Sequence, residues 1–416
     1  MRTFLTLNST AILLAGFLFT GVSTLSTSTA QAVDLPEDTM GEVVSFSRQN
    51  HERLVWVTDM NMPYQAHGRG YLIDPDTGRF LSMLDLGYWT TGIELPSDGT
   101  RIIAAETHFS RTTRGERSDV LVTYDATTFQ VRSEVTIPPK RASVVKMQGT
   151  SSLSDDQTLF AQMNFTPAVS LTLVDLERDE FIGEIGTPGC PNVYGGGARS
   201  FHLLCGDGSF LTYTFDENGA VADRTRSDAL FDPFEDPVSI SGVRRGDHWY
   251  FVSLAGDVYD FEMDADGVRL AETWPLITGD ERADEWSISG FQHLALHERS
   301  GQLYLLTHQG PPETFEDPGT HVWVFDLETR EKVETYELQE LTISIAVSKD
   351  DDPLLYGIGA HIPMPFFAQV WVYLTEGEAP LINTVQFGLD IYDAGDGSYK
   401  RSVPKLGNLP SMIQPW

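Results

Sequence analysis

The sequence predicts an all-β fold, a seven-bladed β-propeller of four-stranded antiparallel blades, on three observations. One hairpin grammar recurs along the chain, its period is about 50 residues, and helical periodicity of any length is absent. In the recurring grammar a hydrophobic strand runs into an acidic or polar turn and a second strand follows. Examples are Tyr71-Leu-Ile-Asp74-Pro-Asp-Thr-Gly78, Leu121-Val-Thr-Tyr-Asp125, Thr212-Tyr-Thr-Phe-Asp216 and Val322-Trp-Val-Phe-Asp326. The turn anchors fall at 74, 125, 175, 216, 264 and 326, with a seventh expected at about 374 after Val370-Trp-Val-Tyr373.

Ahead of most anchors stands a second turn followed by an aliphatic strand, as in Ser97-Asp-Gly, Ser154-Asp-Asp-Gln, Arg245-Gly-Asp, Arg299-Ser-Gly-Gln and Asp350-Asp-Asp-Pro. Two hairpins per repeat make four strands, and radial closure of such sheets leaves only short edges. The 36 Gly and 22 Pro sit mainly at these turns. The early strand Glu42-Val-Val-Ser-Phe-Ser47 is expected to pair with strands from the C-terminal end and close the ring.

The first 32 residues contain Arg2, no acidic residue, the apolar run 11–22 and then Ala30-Gln31-Ala32. That is the pattern of a secretory signal peptide cut before Val33, leaving 33–416 as one propeller domain. No later apolar stretch approaches the ~20 residues that cross a bilayer. A net charge of −32 opposes binding to nucleic acid or an anionic membrane, which carry the same sign. With 41% hydrophobic residues the chain is nonetheless a globular folder. It reads as an exported protein, periplasmic in a Gram-negative cell.

Cys190 and Cys205 are the only cysteines. In an exported chain they are expected to form a disulfide, closing a loop of about 15 residues worth roughly 3 kcal/mol in the chain-entropy model. Catalytic constellations are mostly missing. The closest histidine pair, His293 and His297, reads as part of a strand, where residues four apart share a face but stand about 13 Å apart, too far for a shared metal. Asp74-Pro-Asp-Thr-Gly78 resembles the start of a calcium loop, but its glycine is one position early and no Glu closes it, so a plain hairpin turn is expected. No nucleophile elbow, P-loop or dinucleotide fingerprint occurs. The acidic clusters 231–236, 313–317 and 350–352 suit a cation, a basic partner or a solvated loop.

Four segments resemble a known family. They are Thr107-His-Phe-Ser-Arg111-Thr-Thr-Arg114-Gly-Glu-Arg117-Ser-Asp119-Val, Pro138-Pro-Lys-Arg141, Arg199-Ser-Phe-His-Leu-Leu-Cys205-Gly-Asp-Gly-Ser-Phe210 and Asp317-Pro-Gly-Thr-His-Val-Trp-Val-Phe-Asp326. Together they resemble the heavy subunit of the quinoprotein amine dehydrogenases, over essentially the whole mature chain. The second segment and the Arg-Ser-Asp-Val ending of the first are closer to the aromatic (aralkylamine) type than to the methylamine type.

The resemblance implies a periplasmic assembly of two heavy and two light subunits that deaminates primary amines oxidatively to aldehyde and ammonia. It places the cofactor, tryptophan tryptophylquinone, and the proton-abstracting carboxylate on the small cysteine-rich light subunit. Electrons then pass to a cupredoxin, amicyanin or azurin. No catalytic residue, metal ligand or covalent cofactor is expected on this chain, whose two cysteines cannot supply a light-subunit framework. The heavy subunit supplies a docking platform and part of the substrate channel. An aromatic residue of that channel corresponds to the loop Asp59-Met-Asn-Met62-Pro-Tyr64, where Met62 or Tyr64 takes its place; an ordinary inter-strand loop is the competing reading. Two other functions remain open: a stand-alone propeller that binds a ligand or protein, and a lactonase-type propeller hydrolase with carboxylates around a channel metal.

Overall fold

The repeated aspartates fold as Asx turns, in which a carboxylate accepts backbone N–H groups just downstream and so replaces a backbone turn bond. Asp74 accepts from the N–H of Asp76 at 2.9 Å and from the Thr77 hydroxyl at 2.6 Å. Asp125, Asp175 and Asp326 each accept from the N–H groups two and three residues on, and Asp216 and Asp264 from the one two residues on. The N–H groups of Thr128 and Thr127 and the Arg132 guanidinium hold Asp125 down at about 2. Each turn joins two antiparallel strands that are neighbours in one sheet. The calcium-like segment is one of these turns, with Gly78 at φ +70°.

The computed structural model describes residues 51–62, 64–90, 92–142, 148–364 and 384–416, with Ser45, Gln369, Val372, Leu374 and Thr375 besides. The expected signal peptide 1–32, the cleavage point and, apart from Ser45, the strand 42–47 lie outside the described residues. So does most of 370–373, where the last anchor was expected; a further such turn is at Asp393, which accepts from the Gly395 N–H at 2.9 Å.

The fold is an all-β propeller whose sheets stack face to face. One sheet runs Pro410–Pro415, Val55–Asp59, Arg69–Asp74, Arg79–Asp85, so the last strand of the chain pairs with the first described one. Val57 stands opposite Ile413 and Asp59 opposite Pro410. Closure therefore uses residues 55–59 as the partner of the C-terminal strand.

The expectation of seven four-stranded blades is not met. Among the described residues five sheets reach four strands or more: four have four strands and one has eight, while a further sheet, Arg101–Phe109 with Arg117–Asp125 and Val131–Ile137, has three. The propeller thus has five blades of that size rather than seven. Two features cause the difference. Lys332–Val347 is one 16-residue strand that pairs with Gly319–Asp326 through its first part and with Leu354–His361 through its second, so hydrogen bonding passes without a break from one repeat to the next. Beside the three-stranded sheet the inner position is held only by a single bridge, Glu94 to Ile103.

Burial follows the stacking. Inner strands such as Leu159–Asn164 and Ser200–Leu204 are buried at every position, whereas the outermost Val221–Arg226 is exposed throughout. Apolar clusters fill the gaps between neighbouring sheets: Trp56 and Leu72 meet Ile102 and Val120, and Phe210 meets Phe251 and Phe261. Cys190 and Cys205 form a disulfide at the end of the hairpin Asn192–Gly195 and Ser200–Leu204, where Asn192 pairs with Leu204, and so staple one sheet. The short helix Gly279–Ala283 is started by a Thr278/Glu281 capping box. No helix among them is long and apolar enough to cross a membrane.

The innermost strands begin on one face, tied together by side chains. Ser241 Oγ donates to Phe291 O at 2.9 Å, Gln292 and Ile413 exchange two hydrogen bonds at 3.0 and 2.9 Å, and Ser344 Oγ donates to Ser411 O at 2.6 Å. Because Asp59 stands opposite Pro410, the loop that follows Asp59 opens on this same face.

Candidate functional site

That loop is built around one buried carboxylate. Asp59 is fully buried at the end of its strand and accepts four hydrogen bonds: Asn61 N–H at 2.7 Å, Leu409 N–H at 2.8 Å, Asn408 N–H at 3.1 Å and the Tyr71 hydroxyl at 3.4 Å. Burial, and then the Asp59 charge, push the Tyr71 hydroxyl above its ordinary value, so it stays a donor. Asn61 lies in the left-handed region at φ +55°, which Asn tolerates better than most residues. Its amide bridges the loop, donating to His67 O at 2.9 Å and accepting from Asn408 Nδ2 at 2.6 Å. Gly407 must be glycine: it has φ +77°, and a Cβ there would collide with the Asp59 carboxylate.

On this frame the two expected channel residues separate. Met62 is half-buried, with its sulfur accepting from Gln65 Nε2 at 3.0 Å, whereas Tyr64 projects from the loop at 66% exposure. A cavity of about 420 Å3 opens at the Asn61 base of the loop, lined by Asn61, Arg69, Tyr71, Gln386, Lys405 and Asn408, and neither Met62 nor Tyr64 lines it.

A second buried network braces the loop from behind. Arg141 is buried and donates to Thr107 Oγ1 at 2.9 Å, to Tyr88 O at 2.8 Å and to Trp89 O at 3.3 Å. Its backbone N–H and the Arg117 fork converge on the buried Asp119 carboxylate, with Arg117 at 2.7 and 2.8 Å. Burial, and then the nearby Arg117 charge, lower Arg141 to about 10 although Asp119 pulls it back, so it stays charged at neutral pH. The turn that Arg141 holds reaches the loop directly: Trp89 N–H donates to Gln65 O at 2.9 Å and Gly68 N–H to Gly87 O at 2.7 Å. The segments 107–119 and 138–141, distinctive in the sequence, thus share one task, the support of residues 64–68.

The remaining candidates are structural. His297 is satisfied by Ser300 Oγ and Asp350 O at 2.8 and 2.9 Å, while His293 is buried with one ring nitrogen unpartnered. Within the acidic run 350–352, Asp350 pairs with Arg53 at 2.5 Å and Asp351 with Arg299 at 2.8 Å. Asp232 and Asp236 hold turns, accepting from Phe234 and Ala255 N–H at 2.9 Å. Among the described residues no group of three or more His, Cys, Asp or Glu is placed to hold a metal. Trp56, Trp323 and Trp416 are buried in apolar clusters. The residues the sequence did not single out are Asp59, Asn61 and Asn408. The available signal was the Asp-x-Asn spacing before the loop and Gly407-Asn408 near the end of the chain.

Comparison with known proteins gives this geometry its context. The family model for the methylamine dehydrogenase heavy chain matches residues 51–370, three-quarters of the chain. The heavy chain of methylamine dehydrogenase from Methylophilus methylotrophus is 26% identical across 96% of this chain and 95% of its own length. That from Paracoccus versutus is 28% identical across 84% of this chain and 76% of its own. Among solved structures, dihydro-heme d1 dehydrogenase NirN in complex with DHE superposes with a TM-score of 0.51 at 15% identity, over 90% of this chain and 77% of that one. The Myceliophteria thermophila Cps50 (Swd1) β-propeller domain gives 0.50 at 12% identity, over 78% and 95%. These structural likenesses speak for the fold alone. The sequence relationship goes further: the chain belongs to the methylamine dehydrogenase heavy chain family.

Proposed function

We propose that the chain is the large subunit of a periplasmic amine dehydrogenase in which a cysteine-rich light subunit carries tryptophan tryptophylquinone. The reaction is oxidative deamination of a primary amine to an aldehyde and ammonia, with electrons leaving to a cupredoxin such as amicyanin or azurin. The observation that carries this reading is the loop 59–64: a buried carboxylate and an Asn bridge fix its base while Tyr64 stands out into solvent on one propeller face. Holding a large aromatic side chain outward and unpartnered costs apolar exposure, which a partner at that face would remove.

The quinone, when the partner brings it, supplies the electron sink. This chain's own residues position and exclude. The Asp59 and Arg141 networks set the loop, and Tyr64 with Met62 forms an apolar rim where the substrate's carbon skeleton passes. The aromatic-type resemblance of segments 107–119 and 138–141 fits a rim that contains a tyrosine, whereas the relatives compared above are methylamine dehydrogenases.

Apolar pocket changes are worth about 1–3 kcal/mol between substrates that differ by a methylene or ring. Tyr64→Ala and Met62→Ala, each in the reconstituted complex, are expected to shift the kcat/KM ratio of a short alkylamine over an aromatic amine by roughly ten- to a hundredfold in at least one case. Reoxidation by the cupredoxin should be unchanged. An unmoved ratio in both variants would show the loop to be structural.

A further inference from the structure

Glu340, His361 and Asp390 form a row across three neighbouring strands, Lys332–Val347, Leu354–His361 and Gln386–Asp393. His361 is at its centre: Nδ1 lies 3.4 Å from Glu340 Oε1 and Nε2 lies 3.2 Å from Asp390 Oδ1. The Asp390 side chain is fully buried, whereas Glu340 reaches solvent. Two glycines admit the pair. A Cβ on Gly359 would collide with the Asp390 carboxylate, and one on Gly388 would crowd His361 Nε2 at 3.0 Å. Because the two carboxylates meet opposite nitrogens of one ring, the three groups do not converge on a point, as a metal would need.

Buried Asp59 collects four hydrogen bonds. Neither oxygen of Asp390 has a hydrogen-bond partner, although Ser402 stands opposite it on the next strand. His361 Nε2 has none either, so the two groups meet as ions and not as an aligned hydrogen bond. Among the described residues no Lys or Arg pairs with Asp390 or Glu340; Lys400, on the strand beside Asp390, pairs with Asp393 at 2.9 Å. Burial first, and with it the Asp390 and Glu340 charges, pushes the Tyr392 and Tyr399 hydroxyls up, so both stay neutral. The protonated imidazole is thus the one positive charge among the described residues within ion-pair reach of Asp390. The Asp390 contact, opposed by burial and aided by Glu340, holds His361 above its ordinary value.

We propose that His361 is a proton-operated latch on the ends of these strands: charged, it holds Asp390 in the fold, and once neutral it leaves a buried carboxylate uncompensated, so that the strand ends open more readily to water. An unpaired buried charge is strongly disfavoured, and local opening relieves it by hydration. The sign follows from linkage. His361 binds its proton more tightly in the closed state than when exposed, so its contribution is complete below about 6.5 and is lost as pH rises through the raised value. The latch lies beside the candidate loop: His361 stands opposite Gln386, which lines the cavity at the base of that loop, and Phe387 O accepts the Leu406 N–H at 2.8 Å. It does not depend on the amine dehydrogenase reading.

Histidine NMR and hydrogen exchange on the full chain test it, with the His361 resonance identified by its loss in His361→Gln. His361 should titrate above the ordinary 6.5, and the protection of residues 357–361 and 386–390, corrected for intrinsic exchange, should fall over the same interval. The two readouts are tied: each pH unit of elevation seen by NMR predicts about a tenfold fall in protection. Asp390→Asn, which keeps the shape and removes the charge, should bring His361 down towards its ordinary value and flatten the profile. A His361 that titrates at or below 6.5, wild-type protection that is constant across its titration, or a profile unchanged in Asp390→Asn would each overturn the proposal. If Asp390→Asn fails to fold, the two wild-type measurements still decide.

Discussion

Asp59 ends a strand at one end of the chain and collects the N–H of Leu409, 350 positions away, so a single carboxylate joins the candidate loop to the closing strand. Removing it strands those N–H groups in a buried site, where each lost charge-assisted bond is costly. Asp59→Ala should therefore destabilise the protein by roughly 2–4 kcal/mol in urea unfolding and loosen residues 60–67 in hydrogen exchange. A loss below about 0.5 kcal/mol, the usual range of surface changes, would contradict the account. Glu94 offers a pH test. Burial raises its carboxyl to about 7, and the hydrogen bond from Ser151 at 2.6 Å only partly offsets this. A carboxyl whose pKa is higher in the fold than in the unfolded chain adds stability that is complete below about 4.5 and lost as pH rises through 7. Between pH 5 and 8 the wild type should lose stability relative to Glu94→Gln in parallel thermal melts; a constant gap would refute the shift. Neither residue was legible in the sequence. The partners of Asp59 lie at the far end of the chain, and a lone Glu before a strand carries no local pattern.

Hairpins were the most legible level, because an Asx turn is local: the aspartate and the N–H groups it accepts lie within three residues. Residues 74, 125, 175, 216, 264 and 326 all fold as read. The seventh, expected near 374 after Val370-Trp-Val-Tyr373, falls mostly outside the described residues, and Asp393 holds a further turn of the same kind. Blade number was less legible, because sequence period counts turns and cannot show whether a long strand such as Lys332–Val347 keeps its hydrogen bonds on both sides. At this scale the disulfide Cys190–Cys205 closes a separation of 15 residues within one sheet. Cys190→Ser should cost about 2–4 kcal/mol in chemical denaturation without preventing assembly below the melting temperature. Loss of subunit association in the folded variant would show that the bridge does more than staple its hairpin.

At the scale of the whole molecule, the first described strand and the last share a sheet, and the loop that carries Tyr64 opens on the face where the inner strands begin. That face is where the account places the partner, and a strongly acidic protein of −32 formal charge is suited to protein partners rather than to nucleic acid. The general architecture could be inferred from repeat and composition, but the face could not, since it emerges only when strands far apart in sequence are set side by side. The most direct test of the central claim is coexpression of this chain with a cysteine-rich light subunit of the family, followed by purification and an assay of amine-dependent dye reduction. The account predicts that the two copurify, that the complex reduces the dye and that this chain alone does not. Amine-dependent reduction by the isolated chain, or its failure to associate with any such subunit, would contradict it.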